Sequence, residues 1–267
     1  MHPEISIGPL TLQTFGLMFA LAFLAAGALL WKRFEEIGKP PDWAYEMGFA
    51  ALVGGIVGSL LFFLLDYWSE VQDDLLGNLF SGSGLTWYGG AIGGAIAVFL
   101  WARWRGFLGL ALLDAAAPAL ALGYAVGRVG CQLSGDGDYG KAWDGPWAMS
   151  YPDGTVPTDE AVHPTPIYET LAMGLGAWIL WQLRDRVRPG VLFALYLVYA
   201  GAERFLVEFL RRNEDAALGL TQAQLESLAM IAAGAIWVAV VARRHGGILR
   251  RNFGAVRLGR MGGNGGY

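Results

Sequence analysis

The chain has 267 residues, of which 55% are hydrophobic and only 16% are charged, and its mean hydropathy is +0.41. A soluble domain of this length usually has about a quarter of its residues charged, so this composition excludes an ordinary soluble protein. The single cysteine, Cys131, excludes an internal disulfide and any metal site built from several cysteines, and the net charge of −4 gives no indication of nucleic-acid binding. The sequence therefore predicts an all-α, polytopic membrane protein.

A helix needs about 20 mainly apolar residues to cross a bilayer core of ~30 Å. Seven stretches meet this requirement, and because the third is the shortest, a tilted or partly re-entrant element is an alternative there. The first stretch is expected to be retained rather than cleaved as a signal peptide, because its basic residues, Lys32 and Arg33, follow the apolar run. We predict spans at residues 11–31, 43–65, 87–102, 107–126, 164–183, 190–210 and 222–242.

Charge alternates between the loops that connect these spans. Basic residues occupy every second loop and the tail, and loops rich in lysine and arginine remain in the cytoplasm. We therefore expect the N-terminus outside and the C-terminus in the cytoplasm, with one transmembrane domain over 1–245, an outer loop at 127–163 and a basic, glycine-rich tail at 246–267. The acidic loop after the second span contains Asp66, Glu70, Asp73 and Asp74, and the tail contains Arg243, Arg244, Arg250, Arg251, Arg257 and Arg260.

Some cations break this pattern, because they lie on the outer side at or inside a helix end. Such charges cost free energy and usually have a reason. One explanation is that they extend to lipid phosphates at the membrane surface. Small residues such as Gly127 beside Arg128 favour instead a ligand that approaches the helix end, where a guanidinium can bind a phosphate with two hydrogen bonds. The cations in question are Arg128, Lys141, Arg204, Arg211 and Arg212.

The segment GAERFLVEFLRRNED closes the sixth predicted span. Arg204, Glu208 and Arg211 follow one another at i, i+4 and i+7, so a helix places them on one face. Such a triplet can hold a guanidinium through Glu208 while leaving it available to an anion. A ladder of ion pairs that only neutralises its own charges is the alternative.

Two further features precede or follow the outer loop. Asp114 lies within the fourth span beside Pro118, where it either contributes to function or pairs with backbone groups that the proline leaves free. The segment VHPTPIYETL brings His163, Tyr168 and Glu169 to the start of the fifth span. His163 is the only histidine near the expected site, although a His-Pro pair is also common in simple turns.

Taken in order, these segments resemble the prolipoprotein diacylglyceryl transferase family of multi-pass enzymes of the bacterial inner membrane. The resemblance implies transfer of diacylglyceryl from phosphatidylglycerol to the lipobox cysteine of a preprolipoprotein, in lipoprotein biosynthesis, with formation of a thioether and release of glycerol phosphate. It implies membrane lipids and a signal peptide as partners, and no cofactor or metal. The matching segments are IGPLTLQTFGLMFALAF, VGGIVGSLLFF, GLTWYGGAIGG, GRVGCQLSGDGDYGKAWDGPWAMSYPDG, HPTPIYE, ERFLVEFLR and TQAQLESLAM.

The resemblance also assigns roles to residues. Arg128 and Arg204 are expected to bind the phosphate, with Glu208 positioning Arg204. Tyr88 and the loop that contains Asp136 and Asp138 are expected to orient the nucleophile or the leaving group. The remaining residues expected to bind substrate are Arg211, His163, Tyr168, Glu169 and Gly127.

The chain departs from the family's usual sequence at several of these positions. Tyr88 replaces a histidine, Cys131 replaces an asparagine, and Ile56 replaces a basic residue. These departures motivate a second hypothesis, in which a re-purposed or non-catalytic member binds an anionic lipid or an exported partner. A small-solute transporter is a third and less favoured hypothesis, because the chain has no convincing internal repeat.

Overall fold

A computed structural model describes residues 2–8, 10–68 and 86–250. Within these ranges the regular structure is helical apart from short antiparallel hairpins, and irregular loops connect the elements, which confirms the predicted all-α class. The helices are α1 (Thr14–Glu36), α2 (Trp43–Asp66), α3 (Trp87–Trp104), α4 (Leu110–Ser134), α5 (Thr165–Leu183), α6 (Val191–Glu208) and α7 (Gln222–His245). The hairpins pair β1 (Glu4–Ile7) with β2 (Leu10–Gln13), β3 (Met149–Tyr151) with β4 (Thr158–Val162), and β5 (Asp215–Ala217) with β6 (Leu220–Thr221).

The fourth helix is longer than the sequence predicted. The prediction ended it at residue 126, before Gly127 and Arg128, whereas α4 continues to Ser134. A glycine inside a helix costs only about 1 kcal/mol and does not stop it. The helix ends where Gly135 adopts a left-handed conformation with a φ of 60°. Arg128 therefore lies inside the last turns of α4 instead of at the threshold of a loop.

Within the described residues, α1, α2, α4 and α7 are long and apolar enough to cross a membrane. This finding supports a membrane protein, while the count of seven spans and the orientation of the termini remain predictions. Part of the charge pattern behind that orientation lies outside the described residues, namely Glu70, Asp73, Asp74, Arg251, Arg257 and Arg260.

The chain divides into two compact units, and the second unit comprises residues 27–112. Its helices α2 and α3 pack through glycines, because a Cβ atom on Gly58 would lie 2.7 Å from the Cα atom of Gly93. At the other end of this helix pair, Glu46 of α2 binds Arg105, which directly follows α3. Close backbone contact thus holds the middle of the pair, and an ion pair holds its end.

The first unit comprises residues 1–26 and 113–267. Its core is formed by α4, α5 and α6, with Met173, Leu180 and Leu192 among the buried side chains. Helices α6 and α7 approach closely at Gly201, where an added Cβ atom would lie 2.8 Å from the carbonyl oxygen of Ser227.

Asp114 of α4 accepts hydrogen bonds from the backbone N–H groups of Gly190 and Phe193, at 2.7 and 3.0 Å. It thereby satisfies donors at the start of α6, which a helix cannot satisfy by itself. Asp114 therefore has a structural role toward the first turn of another helix.

Candidate active site

Arg128 is the first residue of a group of charged side chains in the first unit. Its Nε atom lies 3.2 Å from Oε2 of Glu169, and its Nη1 atom contacts Oδ2 of Asp138. The ring of Tyr124, one helical turn earlier, lies 4.9 Å from the guanidinium carbon. Two carboxylates and an aromatic face thus fix the guanidinium from different sides.

Glu169 is the centre of this group. Its side chain is 0% exposed, and it lies 3.2, 3.3 and 3.5 Å from the guanidinium nitrogens of Arg128, Arg204 and Arg211. The hydroxyl of Tyr124 also donates to Glu169, at 2.9 Å. A buried carboxylate needs such partners, because an isolated charge is costly away from water. The sequence predicted a substrate-binding role for Glu169, and the structure places it as the shared partner of all three arginines.

The three residues of the predicted triplet lie together, but Arg211 is not on the helix face that the spacing predicted. Arg204 Nη2 lies 2.9 Å from Glu208 Oε2, and Arg211 Nε lies 3.9 Å from the same atom. Helix α6 ends at Glu208, so Arg211 reaches the group from the segment that follows the helix. The same two arginines also contact Glu169, so the triplet is part of a larger arrangement and not an isolated ladder.

Glu208 is held from a second direction by the start of α7. Its Oε1 atom accepts hydrogen bonds from the Thr221 hydroxyl at 2.8 Å and from Asn213 Nδ2 at 2.6 Å. Thr221 is also the N-cap of α7, where its hydroxyl accepts from the N–H of Gln224 and the Gln224 side chain accepts from the N–H of Thr221. One hydroxyl therefore joins the α7 capping box to the end of α6.

Asp138 joins the group from the loop that follows α4. Its two carboxylate oxygens contact different arginines, Arg128 and Arg211. Burial alone would raise the pKa of Asp138, but the two guanidinium groups outweigh burial and hold the pKa of this carboxyl below its ordinary value. Asp136 instead accepts from the N–H of Asp138 at 3.2 Å and shapes the loop. The structure thus brings Asp138, rather than Asp136, onto the arginines.

These six residues, three arginines and three carboxylates, form what we name the arginine–carboxylate cluster. Its formal charges balance, yet not every polar atom is used. Within the part of the chain that the structure describes, Oε2 of Glu169, Oε2 of Glu208 and Nη1 of Arg211 are buried and have no hydrogen bond. These atoms lie in ion-pair contacts within the cluster, but the contacts do not have the geometry of hydrogen bonds. Buried polar atoms are normally hydrogen-bonded, so the hydrogen bonding of the cluster is incomplete. The cluster comprises Arg128, Arg204, Arg211, Asp138, Glu169 and Glu208.

The ligand-type atoms of Cys131, Asp136 and Asp138 all lie within 4.8 Å of one another. The guanidinium of Arg128 contacts two of these residues, with Nη1 at 3.6 Å from the Cys131 sulfur and also at the Asp138 carboxylate. The Arg128 guanidinium thus places a fixed positive charge against the Cys131 sulfur and the Asp138 carboxylate, which disfavours a metal cation there. Asp138 is therefore assigned to the arginine–carboxylate cluster and not to a metal site.

Four aromatic side chains, which we name the aromatic rim, surround the start of α5. The Trp143 ring stacks on His163 with 4.4 Å between ring centroids, and Trp147 Nε1 donates to the Tyr168 hydroxyl at 2.7 Å. That hydroxyl lies 3.3 Å from Nδ1 of His163. Burial lowers the pKa of His163, which favours a neutral ring that accepts from Tyr168. Aromatic rings with polar tips are typical of membrane–water boundaries.

The two remaining cations that broke the charge pattern bind the protein itself. Lys141 donates to the carbonyl oxygen of Phe209 at 3.0 Å. Arg212 donates to the carbonyl oxygen of Gly140 at 2.8 Å and pairs with Glu160 at 3.0 Å. Both connect the loop between α4 and α5 to the segment after α6, so their roles are structural.

Gly127 and Tyr88 were also expected to serve the site. A Cβ atom added to Gly127 would meet nothing within 4 Å, so space is open beside α4 one residue before Arg128. Tyr88 belongs to α3 of the second unit, where its ring centroid lies 6.4 Å from that of Phe62. The role of Tyr88 toward a substrate remains a prediction.

Sequence reasoning missed three residues that hold the cluster, namely Tyr124, Asn213 and Thr221. Tyr124 was signalled by its position four residues before Arg128, since residues one turn apart share a helix face. Thr221 was signalled by the spacing Thr-x-x-Gln before an apolar run, which is typical of a capping box. Asn213 had no comparable signal, because its contact depends on how the chain turns after α6.

Comparisons with known proteins identify one family. The family model for prolipoprotein diacylglyceryl transferase matches residues 4–240. A phosphatidylglycerol–prolipoprotein diacylglyceryl transferase of Methylobacillus flagellatus is 32% identical over 269 residues, which cover 91% of this chain and 99% of the relative. Proteins with the same name from Clostridium tetani and Dehalococcoides mccartyi are 35% and 36% identical, covering 76% and 85% of this chain and 82% and 88% of theirs.

The match extends from β1 into α7 and includes every residue of the arginine–carboxylate cluster. The relatives are covered over most of their own length, so the similarity concerns the whole fold and not a single motif. The chain belongs to the prolipoprotein diacylglyceryl transferase family.

Proposed function

We propose that this protein is a phosphatidylglycerol–prolipoprotein diacylglyceryl transferase. The names of its relatives give phosphatidylglycerol and prolipoprotein as the substrates of diacylglyceryl transfer. The proposed acceptor is the lipobox cysteine of the preprolipoprotein. The observation that carries the proposal is the shared contact of Arg128, Arg204 and Arg211 with Glu169 in a buried setting. Such an arrangement suits a substrate whose headgroup is a phosphate.

The reaction explains why arginines are needed. The acceptor thiolate attacks the glyceryl carbon that carries the phosphate, a carbon–sulfur bond forms, and the carbon–oxygen bond to the phosphate breaks. The bonding electrons leave with glycerol phosphate, so negative charge develops on the leaving group. Guanidinium groups held in fixed positions stabilise that charge, and their effect is larger where water is excluded. Arg204 is the most accessible of the three, with 24% of its side chain exposed, and is suited to meet the phosphate with Arg128.

The carboxylates give the cluster a resting state. Without substrate, Asp138, Glu169 and Glu208 compensate the three arginines. A phosphate that binds to Arg128 and Arg204 replaces part of the negative charge that these carboxylates supply. The buried atoms without hydrogen bonds are positions at which a further hydrogen bond can form. We place the site on the outer side of the bacterial cytoplasmic membrane, in a multi-pass protein with seven spans, where the translocated lipobox and the lipid headgroups meet.

Purified full-length protein, supplied with phosphatidylglycerol and a lipobox peptide, tests the proposal. Arg128→Ala is expected to lower thioether formation by about 100-fold or more, because one charge-stabilising donor group is lost. Arg184→Ala is the matched control, because Arg184 stacks on Trp181 at the end of α5 and is not part of the cluster. Wild-type protein that forms no thioether above a heat-inactivated sample contradicts the function, and near-normal transfer by Arg128→Ala removes Arg128 from the site.

The departures at Tyr88, Cys131 and Ile56 favour one second candidate, a member that binds an anionic lipid or an exported partner without catalysis. Complementation of a cell depleted of its own transferase separates the two candidates. Restored growth and lipoprotein maturation support the transferase, whereas stable membrane expression without complementation supports the binding protein.

A further inference from the structure

A groove of about 390 Å³ lies between α5 and α6 of the first unit. Its walls are mainly apolar, with Ala172, Ala202 and Leu206 among the lining residues. Tyr168 of the aromatic rim also lines the groove, so the two features are continuous. The groove and the arginine–carboxylate cluster are both built on α5 and α6, but no residue of the cluster is among those that line the groove.

Glu203 is the one acidic residue among those that line this groove. It directly precedes Arg204, but over residues 2–8, 10–68 and 86–250 its carboxylate has no hydrogen bond or salt bridge in the structure. It lies near enough to interact electrostatically with Glu169, Arg128 and Arg204. Glu203 is partly buried, so a ligand that fills this mainly apolar groove removes water from its carboxylate and has to supply a hydrogen-bond donor in return.

The charge balance explains why Glu203 is left over. The three arginines of the cluster are compensated by Asp138, Glu169 and Glu208. Glu203 adds a fourth carboxylate close to them. The groove side of the site therefore has an excess of negative charge, which disfavours a second anionic headgroup there.

The chemistry of the groove distinguishes between the two substrates of the proposed reaction. An acyl chain of the lipid would remove water from Glu203 and offer no hydrogen bond in return. A peptide segment offers backbone N–H groups and, at its acceptor residue, a thiol proton. The lipobox segment therefore complements both the apolar walls and the carboxylate.

We propose that the α5–α6 groove binds the lipobox segment of the preprolipoprotein and that Glu203 accepts the proton of its cysteine thiol. The inference rests on the transferase function proposed above. In this step the sulfur–hydrogen bond breaks, the proton moves to the Glu203 carboxylate, and the electron pair stays on sulfur. The thiolate then forms the carbon–sulfur bond as glycerol phosphate leaves, and the proton passes from Glu203 to the leaving phosphate or to water. Glu203 is therefore assigned as a catalytic residue.

Groove occupancy is tested by narrowing the groove in the full-length enzyme. Leu206→Trp is expected to raise KM for the lipobox peptide by about tenfold and to leave KM for phosphatidylglycerol unchanged. The larger side chain takes up space in the groove, and changes of this size in a pocket alter substrate binding by about this factor. Leu171→Trp is the matched control, because Leu171 lies on α5 with 68% of its surface exposed and does not line the groove. A raised KM for phosphatidylglycerol alone assigns the groove to an acyl chain and overturns the proposal, as does no change in either value.

Photo-crosslinking gives a second readout that does not depend on turnover. A benzophenone amino acid at position 206 is expected to capture the labelled peptide, while the same probe at position 171 captures none. Capture of phosphatidylglycerol at position 206 in place of the peptide contradicts the proposal. If the wild-type enzyme forms no thioether but position 206 captures the peptide, the proposed function fails while peptide binding in the groove stands.

The proton-accepting role is tested with Glu203→Gln. This variant is expected to lower kcat by about 10²–10⁴-fold at neutral pH with a smaller change in KM, as for the loss of a general base. Its activity relative to wild type should recover as pH rises from about 7 toward 9, because a thiol with a reference pKa of ~8.5 then ionises unaided. Charged and titratable groups around Glu203 also shape this profile: Tyr199 and Arg204 on α6, Tyr124 and Arg128 on α4, Tyr168 and Glu169 on α5, and Arg211 after α6.

Glu160→Gln is the control for loss of a carboxylate, because Glu160 is exposed and pairs with Arg212 at the loop surface, away from the groove. Glu203→Asp keeps a base at this position and is expected to retain part of kcat. A Glu203→Gln enzyme with normal kcat, or one whose loss is not relieved by higher pH, overturns the assignment of Glu203 while the transferase function of the wild-type enzyme stands.

Discussion

Glu46 in the second unit and Glu169 in the first unit both bind arginine, but in different ways. Glu46 accepts from Arg105 with both carboxylate oxygens and from Trp101 Nε1 at 2.9 Å, and 33% of its side chain is exposed. Glu169 is 0% exposed and is shared by Arg128, Arg204 and Arg211.

This difference distinguishes an ion pair that only stabilises the fold from a site that can bind an anion. In the second unit, one carboxylate meets one guanidinium in parallel hydrogen bonds, so each group is satisfied by the other. In the first unit, sharing leaves Glu169 Oε2 and Arg211 Nη1 without hydrogen bonds among the described residues. Incomplete hydrogen bonding in a buried, shared arrangement, and not the presence of arginines near a membrane, therefore indicates where an anion is to bind.

Removing each central carboxylate tests this comparison most strongly. Glu169→Gln is expected to abolish transfer and to lower the free energy of unfolding by about 3–5 kcal/mol, because three arginines lose their common buried partner. Glu46→Gln is the control and should leave transfer and the melting temperature nearly unchanged. Thermal unfolding in detergent and the thioether assay provide both readouts. Equal effects of the two variants would contradict the distinction between site and structural pair.

Glycine-to-alanine substitutions on α2 and α3 test the packing of the second unit. Gly93→Ala places a Cβ atom 2.7 Å from the Cα atom of Gly58, so α2 and α3 must move apart, at a cost of about 1–3 kcal/mol. Gly48→Ala is the matched control on α2, where the added atom meets nothing within 4 Å and helix propensity favours alanine. A melting temperature that falls for Gly93→Ala and holds or rises for Gly48→Ala confirms the close backbone contact. A fall of the same size for both would contradict it.

Thr221 tests how far the cluster depends on the start of α7. Thr221→Val removes the hydroxyl that binds Glu208 and caps α7, and is expected to destabilise the protein by about 1–2 kcal/mol. If Glu208 then holds Arg204 less firmly, kcat falls about tenfold, equivalent to about 1.4 kcal/mol in the barrier. Thr221→Ser keeps both hydrogen bonds and should restore kcat. A Val variant with reduced stability but normal kcat would limit Thr221 to helix capping.

The smallest predicted effect is a change in how the stability of the protein declines at acid pH. Because the pKa of Asp138 is lower in the folded protein than in the unfolded chain, its contribution to stability is complete above the unfolded value of ~3.9 and is lost as pH falls through the folded value. Asp138→Asn should therefore reduce stability at neutral pH and flatten its decline in acid. Melting temperatures measured from neutral pH downward check this. If the melting temperature of Asp138→Asn declines in acid as steeply as that of the wild type, the ion pairs of Asp138 with Arg128 and Arg211 do not contribute to stability.

Much of the helical framework was predictable, because apolar runs of sufficient length are a strong signal. The end of α4 was not, since Gly127 looked like a terminator while the conformation that stops the helix occurs at Gly135. The triplet Arg204, Glu208 and Arg211 was predictable because it depends on spacing within one helix and the turn directly after it.

The centre of the cluster was harder to predict. Glu169 meets its arginines from α4 and from the end of α6, and such contacts depend on helix packing, which spacing within one segment does not encode. The choice between Asp136 and Asp138 likewise depended on the loop conformation, in which Thr165 donates to the carbonyl oxygen of Asp138 at 2.6 Å. Glu203 could not be identified from the sequence, because what distinguishes it is the lack of a hydrogen bond or salt bridge among the described residues, and no spacing in the sequence encodes that.

The bond between Asp114 and the first turn of α6 has a consequence for the order of assembly. The N–H groups of Gly190 and Phe193 gain their acceptor only when α4 is already in place. During synthesis α4 emerges before α6, so the acceptor is present when the later helix forms. A chain made without α4 would leave these two N–H groups without the Asp114 acceptor, and the first turn of a helix cannot satisfy such donors by itself. Asp114 thus makes the start of the helix that delivers Arg204 dependent on the helix that delivers Arg128.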